Sequence, residues 1–255
     1  MTNQHDTTPI HQAHETIHRA ERIVFLTGAG MSAESGVPTF RDALTGLWSR
    51  FSPEALATSD AYQRDPDLVW GWYEWRRGQV AKLFPNAGHR AIAEFSRTKE
   101  HVLLATQNVD DLHERAGSAD VLHLHGSLFA PRCFDCGTPS TFIDAAPQEP
   151  EGGRRIAPPR CSACGGMLRP GVVWFGESLP IDVWQKTEAA VVQCDVLICI
   201  GTSGLVYPVA GLPAAATRRG ATVIQVNPNE TPIDAVAQFN LRGSAAVVLP
   251  ELLAG

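Results

Sequence analysis

Five short apolar runs in this chain each break off in a small or polar turn, and that recurrence narrows the folds open to it. Residues 22–27 run into Gly28-Ala29-Gly30, and residues 101–106 into Gln107-Asn108-Val109-Asp110. Residues 121–124 stop at His125-Gly126-Ser127, 195–200 at Gly201-Thr202-Ser203, and 222–226 at Asn227-Pro228-Asn229. Helical patterning fills the intervals at residues 9–20, 66–84, 87–97 and 182–193, with one more helix before Thr222. Buried strands alternating with helices imply an α/β fold, a doubly wound parallel sheet of Rossmann-like type. Further strands are expected at 172–174 and, last in the chain, at 245–249. Open parallel sheets bind ligands beyond the carboxyl ends of their strands. Any one of these turns reads as an ordinary α/β loop, but the five together favour a nucleotide crevice.

The first turn both fits and departs from a dinucleotide site. Gly28-Ala29-Gly30-Met31-Ser32-Ala33 satisfies G-x-G-x-x-[GA] after a strand. Gly36-Val37-Pro38 then stops the helix after about one turn, because Pro38 drives its predecessor out of the α region. A loop thus stands where a hydride-transferring dehydrogenase has a long helix.

Residues 128–170 change character: Cys, Pro, Gly and Arg dominate and apolar periodicity is lost. We therefore expect a Rossmann-like domain over 1–127 and 171–255, with a helical module at about 44–98, and a small zinc-binding insertion at 128–170. Cys133-x2-Cys136 and Cys161-x2-Cys164 supply four thiolates on two knuckles, the donor set of one structural zinc. A redox pair or disulfides would explain one CxxC, but two in an insertion without its own core favour metal. Cys194 and Cys199 read as core residues. With a net charge of −6 and no dense Lys/Arg run, direct nucleic-acid binding is not expected. No apolar run approaches roughly 18 residues, so no membrane span is expected. The polar N-terminus lacks the apolar stretch of a secretion signal, which makes the cytoplasm the expected compartment.

In order along the chain, GAGMSAESGVPTFRD, TQNVDDLHERAG, LHGS, the four-cysteine insertion, GVVWFGE, GTSGLVYP and QVNPN resemble the sirtuins, NAD-dependent protein-lysine deacylases. The resemblance implies that NAD is consumed as a co-substrate, with acylated-lysine proteins or peptides as partners and nicotinamide and O-acyl-ADP-ribose as products. It implies a mobile cofactor loop after Gly30, which explains the broken helix. It makes His125 the catalytic base, a task that suits an imidazole, and Asn108 and Asp110 the nicotinamide-pocket residues. Spacing alone does not separate His125 from His123; the motif does. Asp111 is assigned as the cap of the helix entering Leu112. The same resemblance assigns NAD binding to Gly28, Ala29, Gly30, Ser32, Phe40, Arg41, Trp48, Gln107, Gly201, Thr202, Ser203, Asn227, Pro228, Asn229 and Ala245. Gly28, Ala29, Gly30 and Ser32 would offer donors to the pyrophosphate, and Asn227 would recognise a ribose. Val173 and Phe175 would meet the substrate, with residues 174–177 as the edge that pairs with the peptide. Leu47 departs from the aromatic residue found there in many members. A monomer is expected.

Within WGWYEWRRGQV, Tyr73 and Arg76 stand three apart on one helical face, and a phenol beside a guanidinium is a receptor for a carboxylate. The resemblance is to the bacterial type of the desuccinylase and demalonylase class (class III), where a Tyr-x-x-Arg pair has this task. Succinyl- and malonyl-lysine are then preferred and acetyl-lysine remains a substrate, with Ala57 widening the pocket. Helical geometry alone would admit Arg77 equally, and a core aromatic stripe with a solvated Arg pair is the bland alternative. Three competing functions share these residues: an NAD glycohydrolase or ADP-ribosyltransferase, a non-catalytic zinc-stapled NAD-sensing adaptor, and a dehydrogenase.

Overall fold

The computed structural model describes residues 8–37, 52–140 and 153–255, without the side chains of Pro53 and Glu54. Its strands are β1 (Arg22–Thr27), β2 (His101–Thr106), β3 (Leu122–His123), β4 (Gly126–Cys133), β5 (Leu168–Val172), β6 (Val196–Ile200), β7 (Thr222–Val226) and β8 (Phe239–Leu241). Its helices are α1 (Pro9–Arg19), α2 (Pro53–Leu56), α3 (Ser59–Arg64), α4 (Pro66–Ala81), α5 (Ala87–Ser96), α6 (Leu112–Arg115), α7 (Ile181–Val191), α8 (Leu212–Arg218) and α9 (Ala245–Leu252).

Six parallel strands form one sheet in the order β3-β2-β1-β6-β7-β8. The order reverses between β1 and β6, the switch point at which a doubly wound sheet opens a crevice. One apolar layer joins α1, α5 and α9 to the sheet through Ile17, Phe25, Ile92, Ile198 and Leu249. The opposite layer joins α7 and α8 through Val191, Leu212 and Ala216 to Leu26, Leu197 and Val223. Strands buried on both faces carry unbroken apolar runs, as in VLICI of β6.

A third apolar cluster lies off the sheet. Tyr62, Trp70, Trp72 and Tyr73 of α3 and α4 pack with Leu128, Cys133, Leu168 and Trp174. Strands β4 and β5 pair antiparallel, and their hairpin carries the cysteines. Among the described residues, the cysteine-bearing hairpin shares its core with α3 and α4.

Two expected strands differ. Residues 245–249 form the start of α9, because the apolar run continues to Leu252 and buries Ala245, Val248, Leu249 and Leu252 at helical spacing. The last strand is instead the short β8. The strand expected at 172–174 ends at Val172 and pairs with β4 outside the parallel sheet.

The two loops at the switch point are interlocked. Gly28 N–H donates to Ile200 O and Gly30 N–H to Gly201 O, each at 2.9 Å. Gly201 sits at φ +57°, and a Cβ there would lie 2.5 Å from the carbonyl carbon of Gly30. Neither strain nor overlap can relax without parting the loops. We expect Gly201→Ala to lower stability by about 2–3 kcal/mol, read from the urea midpoint at unchanged m-value.

Candidate functional site

Four strand ends meet at the carboxyl edge of the sheet and are tied side to side. After Gly28 the chain makes two short 3-10 turns, Ala29–Met31 and Ala33–Ser35, and Gly36 ends the second at φ +89°. No long helix follows β1 as far as Val37, in line with the sequence. Phe40, Arg41, Trp48 and Leu47 lie outside the described residues. Gln107 Nε2 donates to Thr202 Oγ1 at 2.8 Å, joining β2 to β6. Asn227 Nδ2 donates to Thr202 O at 3.0 Å, joining β7 to β6, while its Oδ1 accepts from Asn229 N at 3.1 Å. Ser203 follows Thr202 in the same turn, Pro228 and Asn229 are exposed, and Ala245 is buried at the start of α9. Glu34, in the second 3-10 turn, accepts from Ala246 N at 2.8 Å and so brings α9 to the β1 loop.

In the first turn, the N–H groups of Gly28 and Gly30 are bonded to β6 and its turn. These glycines permit two backbones to touch, and that is their structural task.

Beneath the turn lies a buried polar floor. Asn108 Nδ2 donates to Ser32 Oγ at 3.0 Å, and His89 Nε2 approaches the same oxygen at 3.4 Å. Asn86 N–H donates to His89 Nδ1, so the proton of the neutral ring sits on Nε2. Asp110 is bonded to Ser32 and accepts from Leu112 N at 3.1 Å, and burial pushes its pKa up against those two bonds. The helix cap therefore comes from Asp110. Asp111 makes no side-chain cap bond and pairs with Arg115 at 3.1 Å. Asn86 and His89 were not singled out from the sequence. Asn86 preceding a helix was the available signal, since it forms a capping box with His89.

The structure separates the two histidines that spacing left equivalent. Burial works against charge on His123, but Glu114 at 2.6 Å raises its pKa overall. For His125 burial dominates and lowers the pKa, opposed by the bond of its Nδ1 to Gln107 O at 3.0 Å. Because a carbonyl only accepts, Nδ1 carries the proton and Nε2 is left basic.

The segment after β5 is held from within. Val173 N donates to His125 O at 2.8 Å, Trp174 N to Glu177 Oε2 at 2.8 Å, and Phe175 N to Ala57 O at 3.0 Å. Phe175 projects its ring outward, 54% exposed, whereas Trp174 is buried. Tyr73 on α4 is buried and accepts from Trp174 Nε1 at 3.1 Å. Arg76 is also buried, its guanidinium 5.2 Å from the Trp72 ring centroid, while Arg77 is paired with Glu74 at 2.7 Å.

The thiols of Cys133, Cys136, Cys161 and Cys164 all lie within 4.8 Å of one another. Cys133 and Cys164 are 3.5 Å apart and Cys136 and Cys161 3.8 Å. Four sulfurs about 2.3 Å from a central zinc would be separated by about 3.8 Å, so the cluster fits a tetrahedral ion. Backbone N–H groups of Cys136 and Gly166 point at Cys133 and Cys164 sulfurs, as at a metal knuckle. Cys194 and Cys199 lie apart from the cluster, buried, with burial raising both thiol pKa values. No helix among the described residues is long and apolar enough to cross a membrane.

A doubly wound sheet with a laced crevice at its switch point and a four-thiol cluster on a hairpin outside that sheet defines an α/β protein of nucleotide-binding type with a metal-binding hairpin. Residues 28–208 match the model of the Sir2 family. The chain is 55% identical over 238 residues to an NAD-dependent protein deacylase of Methylococcus capsulatus, covering 93% of each chain. It is 57% identical over 241 residues to NAD-dependent protein deacylase 1 of Pseudomonas aeruginosa, covering 94% of this chain and 96% of that one. A crystal structure of a Sir2 homologue in complex with NAD superposes with a TM-score of 0.87 at 47% identity, covering 95% of this chain and 91% of that one. The chain belongs to the Sir2 family.

Two outcomes follow from this geometry. The purified protein should carry one zinc per chain by elemental analysis, and Cys161→Ser should abolish it and lower Tm by at least about 5 °C. The second concerns His89, whose pKa burial lowers to about 4, aided by Arg90 and Arg115. Unfolded, this ring takes a proton near pH 6.5; folded, it resists until about pH 4, so its contribution is present above 6.5 and is lost as pH falls to about 4. Stability should drop by on the order of 3 kcal/mol over that window from this group. Urea titrations at pH 7 and pH 4 should show a smaller drop for His89→Gln; equal drops would remove His89 as the cause.

Proposed function

We propose that this chain removes dicarboxylic acyl groups, succinyl and malonyl ahead of acetyl, from lysine side chains of proteins. The coarser activity, NAD-dependent protein deacylation, is that of the family and of the relatives described above, and it is this chain's own. The finer preference rests on one observation: on α4 a buried phenol, Tyr73, meets Trp174 of the segment after β5, and a buried guanidinium, Arg76, stands close enough to pull on that phenol. A succinyl or malonyl group ends in a carboxylate, which accepts hydrogen bonds only. Burial pushes the Tyr73 phenol pKa up, against the pull of Arg76, so the hydroxyl keeps its proton and remains a donor. Arg77 is turned to Glu74, whereas Arg76 lies by the Trp72 ring and acts on the Tyr73 phenol, which makes Arg76 the partner of that hydroxyl in this reading.

In this reading the crevice residues Gln107, Thr202, Ser203 and Asn227 hold NAD. When bound, NAD supplies the electrophilic ribose carbon and the departing nicotinamide. Asn108 and Asp110, fixed by Ser32, orient the nicotinamide end. His125 accepts a proton at Nε2 while Gln107 O keeps Nδ1 protonated. Val173 and Phe175 line the path of the acyl-lysine, and the four cysteines hold zinc away from the chemistry.

The test is release of free lysine peptide from one peptide carrying either succinyl or acetyl, for wild type and Arg76→Met. We expect succinyl to lead by about tenfold or more in kcat/KM and the variant to lose that lead. Equal ratios in both proteins would reduce Arg76 to a structural helix residue. Nicotinamide release without free lysine from either peptide would favour a glycohydrolase.

A further inference from the structure

The carboxylate-receptor reading needs a hydroxyl that donates toward the acyl group, yet a phenol by itself both donates and accepts and turns freely between the two. The structure supplies the missing constraint in the residue across from Tyr73. Trp174 Nε1 lies 3.1 Å from the Tyr73 hydroxyl, and an indole N–H can only donate. The Tyr73 oxygen is therefore the acceptor in that bond, and its own proton must point away from the indole.

Trp174 is held in this pose from several sides. It is 1% exposed, with the Arg169 guanidinium 3.4 Å from its ring centroid and the rings of Tyr62 and Phe134 at 5.4 and 6.4 Å. Arg169 is itself fixed by Glu177 and by Val172 O at 2.9 Å, and Glu177 returns to the Trp174 amide. The indole thus has little freedom to withdraw its N–H. Trp174 directly precedes the exposed Phe175, so the orienting group and the substrate-facing ring are neighbours in the chain.

We propose that Trp174 is a specificity-determining residue: its indole N–H occupies the acceptor side of the Tyr73 hydroxyl and turns the phenolic proton toward the carboxylate of a dicarboxylic acyl-lysine. The inference rests on the dicarboxylyl preference proposed above. Trp174 acts through Tyr73 and is a positioning residue; the hydroxyl makes the contact. Without the indole donor, the hydroxyl would share its proton among other acceptors and meet the acyl group as often with a lone pair.

The experiment uses the full chain with its zinc and compares the succinyl-to-acetyl ratio of kcat/KM in wild type, Trp174→Phe, Tyr73→Phe, Arg76→Met and the Tyr73→Phe/Trp174→Phe double variant. Phenylalanine keeps an aromatic face for Arg169 and removes the N–H. We expect Trp174→Phe to lower the ratio by about fivefold, Tyr73→Phe to lower it at least as much, and the double variant to add nothing further. A ratio unchanged in Trp174→Phe but lowered in Tyr73→Phe overturns the orienting role while leaving the carboxylate receptor standing. Additive losses in the double variant overturn it too. A ratio that neither Tyr73→Phe nor Arg76→Met alters brings down the receptor and this inference together. Should Trp174→Phe not fold, 3-benzothienylalanine at position 174 keeps the bicyclic outline with sulfur in place of N–H, and the same outcomes apply.

Discussion

The site depends first on a contact between two backbones. The turn after β1 and the turn after β6 approach so closely that Gly30 donates to Gly201 O and no Cβ is tolerated at Gly28, Gly30 or Gly201. This contact closes the switch point of the sheet, where the strand order reverses and loops would otherwise splay. Once the turns are locked, Thr202 becomes a fixed post. Gln107 reaches it from β2 and Asn227 from β7, so the crevice wall is one hydrogen-bonded rim built from separate strands. Gln107 also sets the tautomer of His125 through its carbonyl, which ties that ring to the same rim.

The floor follows a different rule. Asn108, Ser32, His89 and Asp110 are buried polar groups, and such groups are tolerated only when each has a partner. Here the partners run in one direction, from the Asn86 amide through His89 to Ser32 and on to Asp110. A direction in the bonds fixes which atoms donate, so the floor keeps its orientation without a bound molecule. His113 extends it on the far side, bonded to Thr27 at 3.1 Å, and Thr27 donates to Thr106 at 2.8 Å across the register of β1 and β2.

Much of this was legible because its causes are local. Strands that end in glycine and amide turns announce a parallel sheet and its crevice edge, and four cysteines in two close pairs announce a metal. What escaped depends on partners distant in the chain. The run at 245–249 reads as a strand by its apolar residues, and only the packing of its one buried face with Ile17, Phe25 and Ile92 decides for a helix. The bonds of the first-turn glycines to β6 and its turn, Gly28 to Ile200 O and Gly30 to Gly201 O, carry no local signal, since their partners lie far along the chain. Asp110 and Asp111 are equivalent caps by spacing, and the choice falls to burial and to Arg115. Arg169 carried no signal either, though its partners are near in sequence: only the fold of the chain after β5 turns Trp174 and Glu177 back onto its guanidinium.

That hairpin links the thiol cluster to the Tyr73–Trp174 pair. Cys133 and Cys161 belong to the same apolar cluster as Tyr73 and Trp174, so the thiol cluster and that pair share one core. A metal held by four thiols has no open position for chemistry, yet it braces the strands from which Trp174 emerges. Tyr73 rides on α4, which packs against those strands through the shared apolar cluster. The indole–phenol bond between the two elements is directional. It gives the packed interface a defined donor, which the dicarboxylyl preference proposed above requires, because a carboxylate only accepts.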